Sequence, residues 1–221
     1  MLIKKILSVF LVIFFITSCI NYEQKAYIYP DGTGKMEIHY WMKALDSASL
    51  ASISNLSIFK SDSVQNEFNY SFLKNFEVTS YIDSSDSTIN TKIKFDFISL
   101  DSLNIIRSFS QYQFSLTDGA ASQKIFSQFI PPITSGFGLD AENYRIKYIY
   151  EFHGDVISHN ATNENKRKLI WDYNYAEIGK GKTISVTFKP FKIKETPTFI
   201  YVLAVLVFTI VVFYLFRKKR D

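Results

Sequence analysis

The sequence predicts an α+β fold: a twisted antiparallel β-sheet covered on one face by one or two helices, with one C-terminal transmembrane helix. Three observations predict it. Five runs of the chain alternate apolar and polar residues, two segments between residues 45 and 75 space their apolar residues by three or four, and Phe199–Phe216 is an almost unbroken apolar run. Strand side chains change faces at every residue, so each alternating run has one buried and one wet face. Antiparallel sheets give that pattern, whereas buried parallel strands are apolar throughout.

The elements follow in order. Residues 1–18 read as a lipoprotein signal peptide, with Lys4 and Lys5 ahead of an apolar stretch that ends in Ile16-Thr17-Ser18-Cys19. A charged start, an apolar core and small residues before a cut make a secretory signal. An aliphatic residue and two small ones before a cysteine match the bacterial lipobox, in which the thiol receives diacylglycerol and the chain is cut just before it. Cys19 is the single cysteine of the chain, which excludes an intramolecular disulfide.

Residues 19–195 form the predicted extracytoplasmic domain, large enough for a substantial core. A strand near Gln24–Tyr29 meets the turn Pro30-Asp31-Gly32-Thr33-Gly34, where Asp-Gly supplies the positive φ of a tight hairpin. Met36, Ile38, Tyr40 and Met42 share one parity of the next strand. Leu45–Phe59 and Ser63–Asn75 are the helix predictions, and Asp101–Phe109 is a shorter one. Phe76–Asp83 and Thr88–Ile98 flank a serine-rich turn. Residues 123–130 fit neither period, and Pro131-Pro132 with Gly136-Phe137-Gly138 marks a loop. Further strands carry Tyr144 to Phe152, Leu169 to Tyr175 and Ile184 to Phe188, the last following the turn Gly179-Lys180-Gly181.

A tether (196–198) leads to the predicted membrane helix, 199–216, and a basic tail, 217–221. About 20 apolar residues cross a bilayer core, and positive charge after them marks a cytoplasmic end. Everything between the two ends then lies outside the cytoplasm, in the periplasm or at the cell surface. The net charge of +4 contains +2 from Lys4 and Lys5 and +3 from residues 217–221, leaving −1 for the exported part. The high pI is thus a topology signal, and nucleic-acid binding has no support.

Catalytic motifs fail in context. Ser57-Ile58-Phe59-Lys60 and Ser71-Phe72-Leu73-Lys74 read S-x-x-K without its companion elements. Gly181-Lys182-Thr183 sits between strands, where no helix N-terminus receives a phosphate. His39, His153 and His159 have no metal spacing. His153 and His159 flank Gly154-Asp155 in a predicted loop, so His153, Asp155 and His159 are the candidates for acid–base chemistry.

The layout resembles the LppM-type family of bacterial envelope lipoproteins. The resemblance is carried by Cys19 in its lipobox and a first strand leading into Asp31-Gly32-Thr33-Gly34. It continues with the stretch Gly154-Asp155-Val156-Ile157-Ser158-His159-Asn160, a later strand with Trp171, and the apolar run with its basic tail. Ala161 stands where that pattern has a glycine. The resemblance implies an α/β ectodomain compared with lipid-binding folds and apolar-ligand binding, and brings no established catalytic residues.

The functional expectation is a non-catalytic binding module at the membrane face, anchored by Cys19 and the C-terminal helix, with no cofactor and no metal. Its ligand is a lipid or other apolar molecule. Aromatics are 17% of the chain and fall mostly on the buried parity, which makes a solid core or a lipid-sized cavity. Candidate binding residues are Trp41, Tyr148, Tyr150, Trp171 and Tyr173. The alternatives are a docking subunit of an envelope membrane-protein complex, contacting its partner through Trp41, and an envelope enzyme using the His153/Asp155/His159 loop. A passive surface protein is a further class.

Overall fold

Alternating runs become strands that bury their apolar parity, and among the described residues eleven strands form in a computed structural model of the chain. The structure describes residues 20–44, 46–132, 145–191 and 198–217. The strands are β1 (Ile20–Ile28), β2 (Gly34–Lys43), β3 (Leu73–Asp83), β4 (Thr88–Phe97), β5 (Ser115–Asp118) and β6 (Lys124–Ile130). They continue with β7 (Arg145–Phe152), β8 (Gly154–His159), β9 (Asn163–Asn165), β10 (Lys168–Asn174) and β11 (Lys182–Pro190). The helices are α1 (Ser47–Ser54), α2 (Ser61–Glu67), α3 (Tyr175–Ile178) and α4 (Thr198–Arg217), with 3₁₀ turns at Ser57–Phe59, Asp101–Ile105, Arg107–Phe109 and Ala120–Ser122.

Two sheets result. A seven-stranded sheet runs β3-β4-β2-β1-β7-β10-β9, and a four-stranded sheet runs β5-β6-β11-β8. All ladders are antiparallel except β1 with β7, where Tyr22 aligns with Ile146 and Ile28 with Phe152. The hairpin turn between β1 and β2 has Gly32 at φ 85°, and the Asp31 carboxylate accepts from the Thr33 backbone N–H and hydroxyl at 3.0 and 2.8 Å.

The α+β expectation is therefore corrected: the chain is mostly β, in two sheets with few helices. Its physical cause lies in what covers the large sheet. The inner parity of β7 and β10 packs against β6 and β11, bringing Phe126 to Tyr150 at 5.6 Å and Phe152 to Phe188 at 5.0 Å. Only the β1, β2 and β4 end is roofed by α1, α2 and the 3₁₀ turns. The helix predicted over Ser63–Asn75 stops at Glu67, because Leu73 already pairs with Phe97 in the β3–β4 ladder. One contiguous apolar core joins both sheets, with Phe95, Leu103, Phe126, Trp171 and Val186 at 2% exposure or less. A satellite of Ala44, Ile53, Phe59 and Ile89 lies under α1.

The membrane-helix expectation is corrected as well. The C-terminal run is helical as α4, within a second unit from Phe191 onward, separate from the unit that ends at Pro190. Among the described residues no helix is long and apolar enough to cross a membrane. The signal segment, Cys19, Tyr144, Gly136-Phe137-Gly138, residues 192–197 and the tail beyond Arg217 lie outside the described residues.

Candidate functional site

Where β1, β2 and β4 pass beneath the helical roof, the layers do not meet. Short helices joined by 3₁₀ turns present too few side chains to fill the space above a twisted sheet. A pocket of about 620 Å³ remains. Its floor is Ile20 and Tyr22 of β1, Ile38 and Tyr40 of β2, and Ile93 of β4. Ile58, Val64, Phe68, Phe109 and Tyr112 come down from the roof. Its polar rim holds Ser57, Ser63, Asn66, Glu67, Arg107 and Ser108. The roof is tied to the floor where the Tyr40 hydroxyl donates to the Ile58 carbonyl, and on the rim the Ser108 hydroxyl donates to the Glu67 carboxylate. Burial pushes the Tyr40 phenol up to about 12.

Beside this pocket a chain of polar side chains crosses the core. The Tyr22 hydroxyl donates to Gln24 Oε1 at 2.7 Å, Gln24 Nε2 donates to the Tyr150 hydroxyl at 2.8 Å, and Tyr150 donates to Gln128 Oε1. Gln24 and Gln128 are fully buried. Buried polar groups are normally paired, but the Tyr148 hydroxyl and Gln128 Nε2 have no hydrogen-bond partner among the described residues. Tyr148 stands beside Tyr22, ring centroids 6.0 Å apart. Burial, then the neighbouring Tyr112 and Tyr22, holds its phenol well above the usual range. Burial raises Tyr112 and Tyr150 in the same direction.

Of the sequence candidates, Tyr148, Tyr150 and Trp171 come together on the inner face, with Tyr150 and Trp171 ring centroids 5.7 Å apart. Tyr173, on the same parity, is 9% exposed. All four are core residues and none lines the pocket. Trp171 also fixes the two sheets together: its indole donates to Asn160 Oδ1 at 3.0 Å, which also accepts from the Ser185 backbone N–H at 2.9 Å. Trp41 faces outward, half-buried, and stacks on His39 with centroids 4.6 Å apart. Burial lowers the His39 pKa.

The predicted His153/Asp155/His159 loop is a strand and the turn before it: Asp155 and His159 lie on β8 and His153 just ahead of it. Six residues of strand separate the two histidines by about 20 Å. His153 Nδ1 is 2.9 Å from the Tyr27 hydroxyl, while His159 Nδ1 accepts from the Ala161 N–H and its Nε2 lies 3.6 Å from Glu164. The geometry does not bring these three side chains to one reacting atom. Among the described residues no group of three or more His, Cys, Asp or Glu could hold a metal ion.

The pocket residues that sequence reasoning missed are Tyr22, Tyr40, Val64, Phe68 and Tyr112. Tyr40 carried a signal, the inward parity of β2. Tyr112 carried none, because it lies outside any helix or strand.

The outer face of the large sheet has a second hollow of about 460 Å³, lined in part by Lys25, Lys94, Glu37 and Glu151. Glu37 lies between two of its lysines, 3.8 Å from Lys25 and 3.6 Å from Lys94.

No family model and no curated protein matches the chain. Among solved structures it is similar to the folded domain of Mycobacterium tuberculosis LppM, determined by NMR, with a TM-score of 0.49 and 15% identity over 79% of this chain and 91% of that one. It is also similar to the Fcho1 Mu homology domain of Danio rerio with a bound Eps15 peptide, with a TM-score of 0.23 and 13% identity over 78% of this chain and 79% of that one.

Proposed function

We propose that this chain is a non-catalytic binding module, outside the cytoplasm and held at a membrane face by a lipid on Cys19, and that it takes an apolar ligand into the pocket beneath its helical roof. The pocket is the observation that carries this reading. At about 620 Å³ it falls within the few-hundred to roughly 1,000 Å³ typical of small-molecule sites, which are apolar with a few placed polar groups. Position adds support. Ile20, on the pocket floor, is the residue after Cys19, so a lipid there would keep the pocket close to the bilayer surface.

The test is mass spectrometry of the full chain from a host that processes lipoproteins. The expected result is a diacylglyceryl mass that Cys19→Ser abolishes, plus a co-purifying lipid that Val64→Trp, which fills the pocket, displaces. A mature chain without the modification would refute the anchor. Lipid content indifferent to Val64→Trp would refute the pocket.

A second reading has the His39–Trp41 stack dock a neighbouring membrane protein. Its support is a large aromatic surface left half-buried on the outer sheet face. Loss of a specific cross-link in Trp41→Ala, in a chain that carries no lipid in its pocket, would favour it.

A further inference from the structure

Resting on the pocket being a ligand site, we propose that its ligand is a zwitterionic amphiphile, an acyl chain bearing a phosphoethanolamine head, whose phosphate meets Arg107 and whose ammonium meets Glu67 at the polar rim.

Three observations lead there. The first is how the lining is divided. Ile38, Val64, Phe68, Ile93 and Phe109 give the pocket a buried apolar interior. Its only lining side chains of Asp, Glu, Lys, Arg or His type are Glu67 and Arg107, and both stand on the rim. Such an interior takes an acyl chain, while a charged head stays at the rim, where it keeps its water.

The second is that these two charges are close and do not neutralise each other. Ser63, Asn66 and Glu67 are neighbours on the surface of α2, three and four residues apart. The Arg107–Phe109 turn is held to them at two points: the Phe109 ring meets the Phe68 ring edge-on at 5.8 Å, and the Ser108 hydroxyl donates to the Glu67 carboxylate. Arg107 is therefore the residue next to Glu67's partner, yet no ion pair joins the two. The Arg107 side chain is exposed and has no hydrogen bond or ion pair among the described residues. One positive and one negative charge left open at one mouth match a head that carries both signs. A lone phosphate would answer Arg107 and be repelled by Glu67, an amine would do the reverse, and a glyceride answers neither. Beside them the Ser63 hydroxyl and the Asn66 amide can donate to phosphate oxygens.

The third is how far the Glu67 charge reaches. Burial is the chief cause of the raised Tyr40 phenol, and the Glu67 carboxylate adds to it. Tyr40 is on the pocket floor, so negative potential already enters the mouth. An anionic head would deepen it, whereas an ammonium offsets it.

The experiment uses the full chain, exchanged from detergent into an uncharged amphipathic polymer at low salt and neutral pH, with N-phenyl-1-naphthylamine as fluorescent reporter. Three competitors share one oleoyl chain and differ in the head: lysophosphatidylethanolamine, lysophosphatidylglycerol and 1-monooleoylglycerol. The ethanolamine lipid is expected to displace the reporter at about one fifth of the concentration that either of the others needs. Arg107→Gln is expected to bring it within about twofold of the glyceride. Glu67→Gln, which keeps an acceptor for Ser108, is expected to bring the phosphoglycerol lipid within about twofold of the ethanolamine lipid. Competitors are compared within one variant, so a change in the reporter's own affinity cancels. Salt at about 0.5 M should shrink the parent's preference, because the rim is exposed. Equal or stronger binding of the glyceride or the phosphoglycerol lipid to the parent chain would overturn the proposal, as would a preference that survives either substitution or ignores salt. A reporter that never binds would instead overturn the pocket itself, and this proposal with it.

Discussion

Tyr148 and Tyr150 are two residues apart on one strand face, equally buried, and opposite in what their hydroxyls do. Tyr150 accepts from Gln24 and donates to Gln128, whereas Tyr148 pairs with nothing described. Removing one member of a buried hydrogen bond leaves its partners unsatisfied at a cost of about 1–3 kcal/mol, while removing an unpaired group costs little. Tyr150→Phe should therefore lower the unfolding free energy by about 2 kcal/mol, and Tyr148→Phe should leave it within about 1 kcal/mol of the parent, read from urea midpoints at constant slope. Equal losses would mean that Tyr148 has a partner in solution. Tyr40 yields a pH prediction. Its folded phenol is pushed up to about 12, above the roughly 10 of an unfolded tyrosine. Between those values the unfolded chain has released a proton that the folded chain retains, so stability is complete below about pH 10 and falls as pH rises toward about 12. Burial also raises the Tyr148 and Tyr150 phenols, which adds to the loss in the same direction. Unfolding midpoints that stayed flat across that window would contradict the burial of Tyr40.

At the scale of the element, alternation made β2, β4, β7, β10 and β11 legible, because their inward residues are nearly all apolar. β6 was not legible, for a specific reason: its inward parity is Phe126, Gln128 and Ile130, while Ile125 and Phe129 take the other face. A polar residue on the buried side and apolar residues outside erase the period. β8 failed differently. It is an edge strand, polar along most of its length, and a bulge opposite Thr187 and Phe188 interrupts its register, so the sequence reads it as a loop. Its first residue explains how close it lies to β11. A Cβ on Gly154 would meet the Lys189 carbonyl and the Phe188 ring. Gly154→Ala should accordingly cost about 1–3 kcal/mol by overpacking, whereas the same change at Gly179, which has no neighbour closer than 3.8 Å, acts only through its backbone conformation. If the two substitutions shifted the midpoint equally and slightly, the β8–β11 approach would be looser than described.

For the molecule as a whole, what the sequence withheld was the partition of strands between two sheets. The strands that alternate do so in the same way whichever sheet they join, and nothing local distinguishes a sheet roofed by helices from one roofed by a second sheet. The pocket was hidden for the same reason: it exists only because the four-stranded sheet covers half of the inner face and short helices cover the rest. The two halves are nevertheless one core, and Asn160 is the side chain that joins their backbones to it. Its carbonyl oxygen receives the Trp171 indole of the large sheet and the Ser185 amide of the small one, and its amide donates to the Thr183 carbonyl at 2.6 Å. Asn160→Ala leaves a buried indole N–H and two backbone groups to find other partners, a loss on the order of 2–4 kcal/mol. Because the apolar cluster runs unbroken through both sheets, the weakened protein should still unfold in one step, with Trp171 fluorescence and far-ultraviolet circular dichroism tracing the same midpoint. Fluorescence lost ahead of dichroism would show instead that the sheets part before they melt, which would make the seam between them a place that opens on its own.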